Sequence, residues 1–274
     1  MRVLWRLTKW LVALLVIFVV GYTLAMSGYH SPPTASIAAL TPDATPRTVF
    51  VAGATGKTGV ELVRVLRERG DRVVAMVRAT SNTAAIDAFG IEKVVADALD
   101  ADEVKAAVGA QPVDLVISLL GTSSSDLPER TNPIMGMIEG PPSMDPNTRP
   151  DFIGNRNVID AARANGIARF VLVTVIGAGD SAEAIPLAAR EGHSAVVPLK
   201  SQAEEHLRSS GLQYTIIRPG GLGKQAARTT AVLTKDPLAF SFLSRADLAR
   251  LTADVAHDAA TVGKTYTAYD PDRR

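Results

Sequence analysis

The residues that most constrain this chain are seven in a row, Gly53-Ala-Thr-Gly-Lys-Thr-Gly59. They lie between a β-branched and aromatic run, Thr48-Val-Phe-Val-Ala52, and a segment with helical spacing at Val60, Leu62, Val63 and Leu66. Strand, glycine turn and helix in immediate succession make the first unit of a βαβ fold. Glycines three apart permit a tight turn, a close approach of backbone to a pyrophosphate, and close packing of helix on strand. The phosphate would rest on the helix N-terminus, held by Gly53, Thr55, Gly56, Lys57, Thr58 and Gly59. The spacing departs from G-x-G-x-x-G because Ala54 and Thr55 separate the first two glycines, and a merely tight βα turn is the alternative. A P-loop is excluded, since position 51, where its first glycine would stand, is Val.

The pattern continues downstream. Arg72-Val-Val-Ala-Met-Val-Arg78, Glu92-Lys-Val-Val-Ala96, Val113 to Leu120, Arg169 to Thr174 and Gln213 to Ile217 read as strands. Asp151 to Asn165 and Leu199 to Ser210 read as helices between them. Near-continuous apolar strands are buried on both faces, which predicts a doubly wound parallel sheet, a Rossmann α/β fold, over residues 47 to 274. The chain has no Cys, which rules out disulfides, a Cys nucleophile, a zinc knuckle or an iron–sulfur cluster, so redox chemistry would need an organic cofactor. The net charge is +1. Arg2, Arg6 and Lys9 precede residue 46 with only Asp43 beside them, which leaves the body nearly neutral, with little to attract nucleic acid. The histidines, His30, His193, His206 and His257, lack metal-ligand spacing, and no metal is expected.

The amino terminus reads differently. Trp10 to Tyr29 carries no charge, and 20 residues at about 1.5 Å each would cover roughly the 30 Å of a bilayer core. Trp5, Trp10 and Tyr22 flank the run as interfacial aromatics, which favours an uncleaved membrane anchor over residues 1 to 27. The basic leader and the small residues Ala25 and Ser27 would also serve a cleaved signal peptide, the second alternative. The positive-inside rule would keep the N-terminus cytoplasmic and place the body outside, at odds with a cytoplasmic cofactor pool. Residues 28 to 46, with four Pro between Ser31 and Pro46, read as an extended tether.

Where a carboxylate at the end of the second strand would bind the ribose of NAD, the sequence offers Arg78 and no carboxylate until Asp87. Arginine there suits a 2′-phosphate, so NADP(H) is expected, with NAD(H) possible; a solvated strand-end arginine is the alternative. Asp97 suits either the adenine amino group or a helix cap. These residues resemble the atypical short-chain dehydrogenase/reductase family of NAD(P)H-binding proteins, its NmrA-like and biliverdin-reductase-B-like branch. The resemblance is carried by Gly53 to Gly59, Asp97-Ala-Leu-Asp100, Gly154 to Ala162, Arg169 to Thr174, Lys200, Ser210 to Gly221 and Ser244-Arg-Ala-Asp-Leu-Ala249, and it covers about residues 47 to 270. It implies a nicotinamide cofactor and leaves the substrate open.

The pattern departs from the parent superfamily at its Tyr-x-x-x-Lys. Lys200 aligns, but position 196 is Val, and no tyrosine of the chain has a Lys four residues on. Lys200 is expected to hold the nicotinamide ribose, unless it is an ordinary surface lysine paired with Glu204. Thr174 is the remaining strand-end hydroxyl, and His193 is a candidate proton donor in the loop leading to Lys200. The segment from Gly121 to Pro150 suits a substrate lid or a partner-docking loop. Gly220 and Gly221 suit close passage past the nicotinamide or a simple turn. The expected function is therefore an oxidoreductase acting on a small carbonyl, quinone or flavin-like acceptor that takes its proton from water. The alternative is a non-catalytic redox sensor or membrane-complex scaffold, with a protein partner, using the same pocket.

Overall fold

The computed structural model describes residues 2–26, 31–122, 144–185, 195–224 and 226–273. Strands β1 (Thr48–Ala52), β2 (Arg72–Val77), β3 (Glu92–Val95), β4 (Leu115–Ser118), β5 (Arg169–Val173) and β6 (Gln213–Pro219) pair in parallel in the order β3-β2-β1-β4-β5-β6. β1 pairs on one side with β2 and on the other with β4, so the order reverses beside the glycine loop. Such a switch point opens a crevice at the carboxyl ends of the strands. Two further strands, absent from the sequence reading, extend the sheet to eight: β10 (Lys264–Tyr269), parallel to β6, and β8 (Val232–Thr234), antiparallel to β10. A short pair, β7 (Gly221–Gly223) with β9 (Phe242–Ser244), stands apart.

Alternation along the strands makes two cores. Val49 and Val51 of β1 face the helices α2 (Lys57–Glu68) and α7 (Arg245–Ala256), through Leu62, Val63, Leu66, Leu248, Leu251 and Val255. Phe50 and Ala52 face the opposite layer, with Val104 of α4 (Ala101–Gly109), Val158 and Ile159 of α5 (Asn155–Ala164) and Ala203 and Leu207 of α6 (Val197–Ser209). A four-residue helix, α3 (Ala84–Asp87), precedes β3. A sheet covered on both faces needs near-continuous apolar strands, as β1, β4 and β5 are at the sheet's centre, where nearly every position is buried.

The N-terminal expectation requires correction. Helix α1 runs Arg2–Met26, but among the described residues no helix is long and apolar enough to cross a membrane. Its uninterrupted apolar stretch with described side chains, Trp10–Val20, is eleven residues, roughly 16 Å at about 1.5 Å each, or about half a bilayer core. The transmembrane helix and the single-pass membrane localisation are accordingly not supported. The Pro-rich segment that follows lies along the domain: Ser31 pairs with Phe240, Ile37 with Thr234, and Asp236 accepts from the Thr34 backbone and hydroxyl at 2.6 and 2.7 Å.

Candidate functional site

The glycine loop turns as its spacing predicts. Gly53 sits at φ 89°, where only glycine is at ease, and the Gly56 N–H donates to its carbonyl at 3.1 Å. A Cβ on Gly59 would collide with the Gly53 carbonyl oxygen and lie 2.7 Å from that of Ala54, so helix and strand are as close as backbones allow. Gly56 caps α2 with no side-chain hydrogen bond, and the first turn holds no acidic residue. Backbone donors at that end are therefore left for a ligand, and the positive end of the helix dipole favours an anion. This cradle fits a pyrophosphate.

Arg78 follows β2 directly and is exposed, in a turn closed by its own N–H on the Ser81 hydroxyl (3.1 Å). Asp97, also exposed, accepts from the Leu99 N–H at 3.0 Å, and its own N–H donates to Glu103. Asp100, rather than Asp97, caps α4, accepting from Asp102 and Glu103.

Across the switch point the site is built from buried side chains. Helix α6 turns Leu199, Lys200, Ala203, Glu204 and Leu207 to the interior, so both of its charges on that face must find inward partners. Lys200 is 6% exposed; its ammonium donates to the Leu120 carbonyl beyond β4 and pairs with Asp151 at 3.2 Å. The other Asp151 oxygen accepts from the Thr122 N–H (2.7 Å) and hydroxyl. Asp151 is itself held in a turn, Pro150–Gly154, that leads into α5. There Asn155 accepts from the Ser118 hydroxyl at 2.6 Å and donates to the Pro150 and Asp151 carbonyls. Lys200 is thus neither a surface lysine nor a partner of Glu204.

Glu204 is fully buried and takes a forked pair of bonds from Arg218 of β6, Nε at 2.9 Å and Nη2 at 2.6 Å. Arg208 reaches the same carboxylate at 2.8 Å, and the Thr174 hydroxyl donates to it at 2.7 Å. Burial by itself would lower the Arg218 pKa, but the bonds and charge of Glu204, then of Asp180, hold it above the ordinary arginine value. Asp180 is pushed up by burial and pulled down further by Arg218, so it stays below the usual carboxylate range. The Thr174 hydroxyl is therefore spent on a structural carboxylate.

His193 lies outside the described residues, as does most of the segment after β4, 123–143. Sequence reasoning missed Asp151, Asn155 and Ser118 as partners of the Lys200 corner, and the Glu204–Arg218 pair. The one available signal was the helical face Leu199, Lys200, Ala203, Glu204, Leu207, too apolar to be exposed.

Comparison with known proteins agrees with this geometry. A family model described as NAD(P)H-binding matches residues 53–259. The chain is 32% identical over 207 residues to the uncharacterized sugar epimerase YhfK of Bacillus subtilis, covering 74% of this chain and 84% of that one. It is 30% identical over 229 residues to sanguinarine reductase of Eschscholzia californica, covering 74% and 81%. It spans only 40% of the chloroplastic protein TIC 62 of Pisum sativum. Among solved structures, ChuY, an anaerobillin reductase from Escherichia coli O157:H7, superposes with a TM-score of 0.68 and 29% identity, covering 83% of this chain and 98% of that one. Glycine loop, switch point and matched span together make this chain a member of the NAD(P)H-binding family, on its atypical short-chain dehydrogenase/reductase branch.

Proposed function

We propose that the chain is an NADP(H)-dependent reductase of a small carbonyl, quinone or flavin-like acceptor. The observation that carries this reading is the buried Lys200–Asp151 pair at the carboxyl end of β4, one strand from the glycine loop. An ammonium set there, its charge balanced, suits a ribose hydroxyl, and its burial keeps it ordered without substrate. The loop amides and Lys57 would take the pyrophosphate, Arg78 the 2′-phosphate, and Asp97 the adenine side. Bound nicotinamide supplies a hydride, and the acceptor's matching proton comes from water, since position 196 is Val. Related proteins named as a sanguinarine reductase and an anaerobillin reductase support reduction as the class of reaction.

The rival reading, a sensor or assembly scaffold that binds the cofactor without turnover, draws on that same Val196 and on the engagement of the Thr174 hydroxyl with Glu204. One experiment separates them. The full chain is titrated with NADPH and NADH by nicotinamide fluorescence, and quinones and flavins are then added while oxidation is followed. Preferential NADPH binding with turnover is expected. Binding without turnover would support the sensor, and no binding would overturn both.

A further inference from the structure

At the carboxyl edge of the sheet lies a cavity of about 440 Å³ that shares Lys57 with the glycine loop and is otherwise lined by residues to which no cofactor role is assigned. Its walls are Lys57 and Glu61 from the start of α2, Gly223, Lys224 and Ala226 after β6, and Arg245 and Ala246 from the start of α7. Its charge is one-sided. The single carboxylate, Glu61, is paired with Arg64 at 3.2 Å on its own helix. Lys57 and Lys224 have no ion-pair partner among the described residues, and Arg245 spends one N–H on the Gly223 carbonyl at 2.8 Å, which fixes the rim. A guanidinium has further donors to offer.

The far wall is held by a buried carboxylate. Asp247, in the first turn of α7, accepts from the Ser244 hydroxyl (2.6 Å) and from the Arg228 and Thr229 N–H groups (3.2 and 3.1 Å). Thr229 is thereby kept at φ 62°, a conformation that a β-branched residue adopts only under constraint and that recurs at ligand sites. The cavity is not the 2′-phosphate pocket. Arg78 stands at the end of β2, whereas Gly223 and Lys224 follow β6, and the sheet order puts β2 and β6 on opposite sides of β1 and β4. Lys224, after β6, and Arg245, at the start of α7, are thus separated from Arg78 across the switch point, in the half of the crevice where an acceptor would enter.

We infer that Lys224 and Arg245, with Lys57 at the boundary, form an anion subsite that binds a carboxylate or phosphate carried by the acceptor. This rests on the reductase reading for the occupant, while the site can be tested by binding alone. Riboflavin and flavin mononucleotide differ only by a phosphate and serve as probes, their fluorescence being followed on the full chain with NADP saturating, so that the glycine loop is already filled. Flavin mononucleotide is expected to bind about tenfold tighter than riboflavin, as two charge-assisted contacts would give. In Lys224→Ala/Arg245→Gln that preference should fall to within about twofold, with NADPH affinity unchanged; Lys224→Glu, an exposed single change, guards against misfolding and should act in the same direction. Equal binding of the two flavins to the native chain would overturn the inference. So would a double variant that loses NADPH affinity in step with flavin mononucleotide, because the cations would then belong to the cofactor's pyrophosphate. Absence of NADPH oxidation would count against the reductase reading only, since flavin fluorescence needs no turnover.

Discussion

The two halves of the crevice are made of different material. On the β1–β3 side the site is backbone and surface: three glycines, an uncapped helix end, and the exposed side chains of Arg78 and Asp97. On the β4–β6 side it is interior: Lys200 against Asp151, Glu204 against Arg218, and the hydroxyls of Thr122, Thr174 and Ser118 on buried acceptors. The exposed side chains of the first half, Arg78 and Asp97, can change without disturbing the core, and the buried ones of the second cannot. Binding specificity and fold stability should therefore respond to mutation in opposite halves.

The largest effect should come from Glu204→Leu, which leaves the Arg218 guanidinium buried without its forked partner. Breaking one side of such a pair costs about 3–5 kcal/mol, and Glu204→Leu/Arg218→Met should regain much of it in urea unfolding. Next comes Gly59→Ala, where the new methyl meets two backbone carbonyls that cannot move aside. Overpacking there should cost about 2–3 kcal/mol and abolish NADPH binding, whereas Gly56→Ala, whose methyl would meet only the Gly53 oxygen at 3.3 Å, should be milder in both respects. Arg78→Gln should leave the melting temperature unchanged and weaken NADPH about tenfold while NADH is unaffected, the measure of a lost charge-assisted phosphate contact. An equal loss for both cofactors would dissolve the contrast between the halves.

The smallest effect is outside the crevice. Burial opposes ionisation of Asp236, but its bonds from Thr34 and the Leu238 backbone outweigh that and hold its pKa below the ordinary carboxylate value. A carboxyl lowered on folding contributes stability that is complete above its unfolded pKa and disappears as pH falls through the lower folded value. Asp236→Asn should thus cost about 1 kcal/mol at neutral pH and nothing in strong acid, read as a pH-dependent melting difference.

The same division explains what could be read from the sequence. The strands of the β1–β6 sheet and the glycine loop are written in local patterns, period and spacing, that require no knowledge of distant residues. Lys200 was found by alignment of motifs, but its partner Asp151 lies 49 positions away and its acceptor Leu120 lies 80 away, separations that no periodicity reports. The pairing of Lys200 with Glu204 failed for a physical reason: both point inward from a helix whose neighbours on that face are Leu199, Ala203 and Leu207, and each meets a nearer, better-placed partner. The strands β8 and β10 were missed because three residues, or six with a Lys and four hydroxyl-bearing neighbours, carry little apolar signal. The apolar N-terminal run was over-read, as its count of uncharged residues included Gly21, Tyr22, Thr23 and Ser27, which add length without much hydrophobicity.

The segment between Ser31 and Ile37 has one more effect. β8 ends the eight-stranded sheet and would otherwise present a row of unpaired amides and carbonyls, the template on which a second chain adds itself. Ile37 bridges Thr234 of that strand, and the Ala38 N–H donates to the Leu233 carbonyl at 2.7 Å. Proline at positions 32, 33 and 42 keeps this cover from becoming a full strand with an inviting outer edge of its own. A chain cut at residue 46 would thus be expected to keep its crevice, expose the β8 edge, and form oligomers on storage more readily than the intact protein, as size-exclusion chromatography would show.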